Sequence, residues 1–277
     1  MQTTTTVIRA DDGRIRLEMR ELLRYRDLLL VLAYRDYRVR YAQTFLGLAW
    51  AFLQPTATLL IFSIIFGRAV GIDTGAVPYP LFAVCGMAAW SYFAYVFSQS
   101  GTSIIGAQEM IKKIYFPRLV IPLSKAVVGF IDLAITAMLI LALMVYYGAA
   151  PSPHIAFLPL FASAGIAAAL AVGIWTSALT IRYRDFQHVI PFVVQVGLYA
   201  TPVAYPAALV TDVVPGWAGV VYYLNPMAGI TEGFRWAILG TNPPARLSYL
   251  SLGITLLLLL GGLVYFKSVE RTMADLV

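Results

Sequence analysis

Six long apolar stretches, separated by short charged segments, organise this chain: residues 44–66, 79–100, 126–147, 155–181, 189–206 and 249–266. Most match the roughly 17–25 residues a helix needs to cross the hydrocarbon of a bilayer. Lipid offers a backbone no hydrogen bonds, so such stretches must form helices. The pattern predicts an all-α polytopic membrane protein with six transmembrane helices. Segment 207–247 breaks it: largely apolar, it holds Pro215, Pro226, Pro243 and Pro244 just after Pro206. Irregular backbone at membrane depth survives only inside protein or beside water. We read the segment as re-entrant outer-face helices before the last span, because a seventh crossing would put the C-terminus outside. Residues 17–35 read as an amphipathic interface helix on the membrane surface. Leu22, Tyr25, Leu29 and Leu32 share one face and Arg20, Arg24 and Asp27 the other, although Arg26 and Val31 blur the division.

Charge fixes the orientation. Of 20 Lys and Arg, nine precede residue 41. Lys112, Lys113, Arg118 and Lys125 follow in segment 101–125, Arg182 and Arg184 in 182–188, and Lys267 and Arg271 in the tail. Arg68, Arg235 and Arg246 fall on the other side, a split of 17 to three. Basic residues are retained in the cytosol, so both termini are expected there, which an even number of spans satisfies. The expected organisation is a cytosolic N-terminus with the interface helix (1–43), a six-span domain (44–266, with 207–247 re-entrant) and a cytosolic tail (267–277). Acidic residues among the N-terminal arginines, and an apolar run that starts late, argue against a cleavable signal.

Composition narrows the function classes. Charged side chains make up 12% of the 277 residues and mean hydropathy is +0.77, leaving no room for a sizeable aqueous domain. The net charge of +6 does not indicate nucleic acid, because the basic residues sit at span ends, where topology and anionic lipid explain them. The lone Cys85 lies in an apolar stretch and supports neither a disulfide nor a thiolate metal cluster. There is no G-x-x-x-x-G-K-[ST] to cradle nucleotide phosphates, no H-E-x-x-H, no paired acidic motif for magnesium and no G-x-S-x-G elbow. His154 and His188 are separated by a span. No metal or catalytic site is expected. Asp132 is the one acidic residue well inside a span, a position that raises a functional question. A bond to a neighbour near the cytosolic end answers it more simply.

Four stretches in order carry a family resemblance: Arg38–Trp50 closing with Gln54 and Pro55, Glu109–Pro122, Arg182–Pro191 followed by Tyr199–Pro206, and Leu224–Trp236. Together they resemble the membrane subunit of ABC-2-type polysaccharide exporters, which move O-antigen, teichoic acid or capsular chains across the bacterial cell membrane. The resemblance covers about Arg24 to Phe266. It implies a homodimer in the bacterial inner membrane, exporting a lipid-linked polysaccharide. It also implies two copies of a separate ABC ATPase that bind the ATP and magnesium, with no cofactor on this chain. The ATPase would dock on short helices in two cytosolic loops, around Ala107–Phe116 (Glu109, Met110, Ile111, Lys112, Lys113, Tyr115) and Tyr183–His188 (Arg184, Asp185, Phe186, Gln187).

Sugars offer apolar ring faces, which aromatic side chains bind loosely enough for a polymer to slide. Candidates for the substrate path are Trp50, Trp90, Tyr92, Tyr95, Trp175 and Tyr199; interface anchoring or core packing is the simpler explanation of each. Arg38 and Arg40 stand where a lipid-linked pyrophosphate would meet the cytosolic leaflet, since Arg forks onto phosphate oxygens. Charge retention explains the same residues. Two other functions stay open: an ABC-2 permease for a drug or lipid, and a polytopic transferase acting on polyprenyl lipids.

Overall fold

The computed structural model describes residues 19–41, 47 and 49–270. Residues 1–18, most of 42–48 and the tail from Arg271 lie outside that description, so the start of the expected first span and the end of the tail do too. Within it the chain is helical, with no strand among the described residues.

Helices α1 (Met19–Arg24) and α2 (Arg26–Tyr41) occupy the segment expected as the interface helix, almost continuous because Tyr25 still bonds back to the Glu21 and Leu22 carbonyls. Leu32 and Ala33 are buried, while Arg20, Arg24 and Asp27 are exposed, as the amphipathic pattern requires. Helix α3 (Ala49–Phe62) continues as a π-helix over Ser63–Ala69. There the Ser63 hydroxyl bonds the Leu59 carbonyl at 2.7 Å, competing with the helical ladder. Helix α4 (Tyr79–Gly101) leads through two short helices, α5 (Ser103–Gly106) and α6 (Gln108–Lys113), to α7 (Val120–Tyr147). A 3₁₀ turn (Pro153–Phe157) opens α8 (Leu158–Arg182), and α9 (Phe186–Ala200) follows. Three more helices, α10 (Ala208–Thr211), α11 (Gly216–Tyr223) and α12 (Pro226–Leu239), precede α13 (Ser248–Glu270).

Five of these elements are long and apolar enough to cross a membrane: Ala49–Ala69, α4, α7, Pro153–Arg182 and α13. Two start or end further out than the apolar runs suggest. Helix α7 begins at Val120 and so contains Lys125, and α13 runs on to Glu270. Helix α4 is the centre, with 78% of its apolar stretch inside the protomer against 11% for Ala49–Ala69. Small residues let the helices close in. Gly173 of α8 abuts Ser100, Gly129 of α7 abuts Tyr92 and Val96, and Gly262 of α13 abuts Trp175 of α8.

The fifth apolar stretch, 189–206, ends its helix at Ala200 rather than at 206. Pro202 and Pro206 lack an amide hydrogen, and a proline disfavours helical backbone in the residue before it; Thr201 is accordingly extended. The chain still follows α4 beyond the break. Ile190 lies beside Gly101, Gly197 against Trp90, and the Ala204 carbonyl accepts a hydrogen bond from the Tyr79 hydroxyl at 2.8 Å. Helix α9 and residues 201–204 therefore run antiparallel to α4 from one end to the other. The helix supplies about 22 Å of that path, and a turn over residues 201–205 the rest.

The proline-broken segment folds as a hairpin of α11 and α12 whose turn points into the protein. Ile230 sits opposite Gly165, about two helical turns inside α8, whereas the Ile238 carbonyl accepts from the amide of Ser152 at the end of the bundle. Asn225 caps α12 by accepting from the Met227 amide at 3.0 Å and donates to Thr201 at 2.8 Å. Gly240, at φ +68, closes the helix in the left-handed conformation.

Candidate functional site

The structure gathers the charged segments at one end of the bundle, which we name by Gly101. Arg118 at the foot of α7 donates from its amide to Glu270 at the end of α13 (3.0 Å) and from its guanidinium to the Glu270 carbonyl. Lys267 pairs with Glu270 at 2.8 Å. The first turn of α9 belongs to the same end, through Ile190 beside Gly101. Both candidate docking loops thus share one face, together with α1.

In the first loop, Glu109, Lys112, Lys113 and Tyr115 are exposed, while Met110 and Ile111 pack on a core of Leu32, Ile104, Phe116, Leu119, Val120 and Phe266. Helix α6 is therefore anchored by its apolar side and presents its charged side outward. Beside it lies a groove of about 450 Å³, walled by Lys112, Lys113, Tyr115, Arg118, Glu21 and Lys267, among others. Lys113 and Glu109 stand 3.7 Å apart, both well exposed, a pairing that water screens. In the second loop Arg184, Asp185 and Gln187 are exposed and Phe186 is half-buried. Asp185 precedes α9 and its carbonyl accepts from the amides of His188 and Val189, at 2.9 and 3.1 Å, so its carboxylate projects from a fixed turn.

Arg38 is exposed, its guanidinium 6.0 Å from the ring centre of Tyr34. Arg40 is engaged: its guanidinium forks onto Asp132 of α7 at 2.7 and 2.9 Å and lies 4.4 Å from the ring centre of Tyr95. Burial works against the Arg40 charge, but the bond to Asp132 and its negative charge outweigh that and hold the group above its ordinary pKa. Asp132 thus does bond to a neighbour.

The aromatic candidates divide. Trp90 is buried against Gly197 and Phe93, and Tyr92 is buried with its hydroxyl donating to the Ala126 carbonyl at 3.1 Å. Trp175 donates to the Leu258 carbonyl at 2.8 Å and stacks on Tyr265. Tyr95 lies under Arg40. Trp50 and Tyr199 remain open, 52% and 59% exposed.

Sequence reasoning passed over Arg235, counting it only among the few basic residues of the other end. It is 2% exposed. It donates to the carbonyls of Phe82 (3.1 Å), Pro202, Val203 and Tyr205 (3.5 Å), and lies 3.6 Å from the ring centre of Phe82. Its fork thus supplies the hydrogen bonds that the break after Ala200 leaves unmade. One turn earlier, Glu232 accepts from the hydroxyls of Tyr223 (2.9 Å) and Ser248 (2.6 Å), fastening the hairpin to α13. The signal was present: an arginine three residues after a glutamate inside an apolar helix needs buried partners. Asp36 was also missed; it accepts from Lys125 of α7. No group of three or more potential metal ligands occurs among the described residues.

Comparison with known proteins follows this geometry. The family model described as "ABC-2 type transporter" matches residues 27–239. The chain is similar to the O-antigen export system permease protein RfbA of Myxococcus xanthus, 28% identical over 217 residues, which is 78% of this chain and 82% of that protein. To a protein of the same name from Klebsiella pneumoniae it is 29% identical over 254 residues, 90% and 95% of the two chains. To the polysialic acid transport protein KpsM of Escherichia coli it is 24% identical over 246 residues, 86% and 92% of the two.

Proposed function

The chain belongs to the ABC-2 type transporter family of membrane proteins, and from that premise we propose that it is the transmembrane subunit of an ATP-driven exporter of lipid-linked polysaccharide. In this reading the Gly101 end faces the cytosol and the α11–α12 hairpin faces outward, in the inner membrane of a bacterium, with both termini cytosolic. The observation that carries it is the common face shared by α6 and the Tyr183–His188 turn. Each is joined directly to a span, and each presents charge to solvent.

ATP and magnesium belong to two copies of a partner ATPase docked on that face. Movement of the ATPase pushes α6, which passes the displacement to α7 through residues 114–119; the second loop passes it to α8 and α9. Two copies of this chain flank the route. The exposed apolar side of Ala49–Ala69, with Phe52, Leu53, Leu60, Ile61 and Ile64 open, is the surface on which the second copy packs. Trp50 and Tyr199 are open to meet sugar rings. Arg38 is the arginine free to receive a lipid-linked phosphate, since Arg40 is held by Asp132. The relatives named for O-antigen export and polysialic acid transport support a polysaccharide over a drug-sized solute.

Affinity purification of the chain co-expressed with its ATPase tests this reading, in membranes with cysteines placed at positions 112, 184 and 217. The expected result is a stoichiometric complex with nucleotide-stimulated hydrolysis. Positions 112 and 184 should label from the cytosolic side and 217 from the other. Labelling of 112 and 184 from opposite sides would refute it.

A further inference from the structure

Two ion pairs join α2 to α7. Arg40 forks onto Asp132, and Lys125 bonds Asp36, which also accepts from Arg35 at 2.9 Å. The partners lie 92 and 89 residues apart in the chain. Asp36, Lys125 and Asp132 are only 11–14% exposed at their side chains, and Arg40 is 31% exposed. Side chains removed from water this far are screened little. We propose that these two pairs lock the interface helix to the first half of α7, so that α2 carries the displacement of the docking loop to α3.

The geometry supports a lock rather than mere adhesion. A single pin between two helices leaves them free to swivel, whereas two pins at different heights fix the angle. Here the pins are four residues apart on α2 and seven apart on α7. The Arg40 fork is bidentate, which sets orientation as well as distance. Apolar residues of similar volume would hold two helices together as well as buried charges do; what the charges add is a single register. Nearer the docking loop, Leu32 of α2 is buried with Phe116, Leu119 and Val120, which form the link from α6 into α7. The interface helix is thus fastened to the docking loop at one end and to α7 at the other.

Helix α3 is attached differently. Few of its residues are fully buried, although Leu59 and Phe62 join the main core. In chain order it is the next helix after α2. In this scheme a push on α6 reaches α3 by way of α2 while the pins hold, besides the direct packing of Leu59 and Phe62 in the main core. Arg40, Asp132, Lys125 and Asp36 are positioning residues in this scheme, and the scheme rests on the functional reading above.

The test uses the complex with its ATPase in inside-out membrane vesicles, in a Cys85→Ser background. Asp36→Cys with Lys125→Cys removes one pin, and a short bifunctional thiol reagent restores it covalently. Without the reagent, polymer moved per ATP hydrolysed should fall about ten-fold, the size typical of a coupling free energy, and the reagent should restore it. Unchanged export in the unlinked variant, or export that the link fails to restore, would overturn the proposal. Spin labels at Val31→Cys and Phe130→Cys leave both pins intact and read the claim without relying on a disrupted variant. Their separation should be the same in nucleotide-free and ATP-bound complexes, and a widening would overturn the lock. A Cys85→Ser parent that hydrolyses ATP yet moves no polymer would count against the functional reading instead, and the label separation would still report on the helices.

Discussion

A Cβ added to Gly86 of α4 would lie 2.4 Å from Nη2 of Arg235 of α12 and 2.8 Å from the Val203 carbonyl. The guanidinium occupies the space that the missing side chain leaves, and from there reaches the carbonyls of the broken traverse. Gly86→Ala must push the fork off its acceptors, and Arg235→Gln must leave several of them unpaired. Arg235→Lys offers one ammonium where a planar fork spans carbonyls from two elements. Each variant should lose roughly 3 kcal/mol, as when one partner of a buried polar network is removed. The thermal midpoint of the detergent-solubilised protein should drop by roughly 6–12 °C at that loss. Native midpoints in all three would show that the fork holds nothing.

The aromatic residues should separate by readout. Tyr92→Phe deletes the buried bond to the Ala126 carbonyl and should lower stability by about 1 kcal/mol, with export falling only as far as the folded population does. Trp50→Ala and Tyr199→Ala remove open side chains, so the thermal midpoint should stay within about 1–2 °C while export slows several-fold. Export at the native rate in both would remove them from the path.

Charge reversal on the docking face should weaken the complex without unfolding the chain. Asp185→Arg and Lys113→Glu act on exposed side chains, where substitutions change stability by about 0.5 kcal/mol or less. ATPase recovered on pull-down should fall about ten-fold, equivalent to about 1.4 kcal/mol of binding. Full recovery with either variant would take that loop out of the contact.

Purified without its ATPase, the chain should hydrolyse no ATP, because no P-loop occurs in its sequence. Phosphate release above that of a detergent blank, from a preparation shown by mass spectrometry to hold this chain alone, would overturn the division of labour.

The long apolar helices, the helical segment near the N-terminus and the break over 207–247 were legible because each depends on local pattern: apolar length, a stripe along one face, and prolines where a clean span would tolerate none. The end of α9 was less so. Apolar count ran smoothly to Pro206, while the backbone answered to Pro202 and its effect on Thr201. Pairings between distant segments were out of reach in principle. Nothing in the spacing of Arg40 and Asp132, or of Asp36 and Lys125, announces which acid meets which base. Arg235 was legible as an anomaly, an arginine in an apolar helix, but its carbonyl partners depend on a break it helps to stabilise. The aromatic residues read alike in sequence because Tyr and Trp serve packing, interfaces and sugars equally well; only burial separates Tyr92 from Tyr199.

The most direct measurement is ATP-dependent movement of polymer. Inside-out vesicles holding the chain and its ATPase are supplied with lipid-linked polysaccharide on the outer surface, which corresponds to the cytosol. With ATP and magnesium, polymer should become inaccessible to an added glycosidase, and neither a non-hydrolysable nucleotide nor vesicles lacking this chain should produce that protection. Polymer that stays fully digestible while the complex hydrolyses ATP would contradict the account.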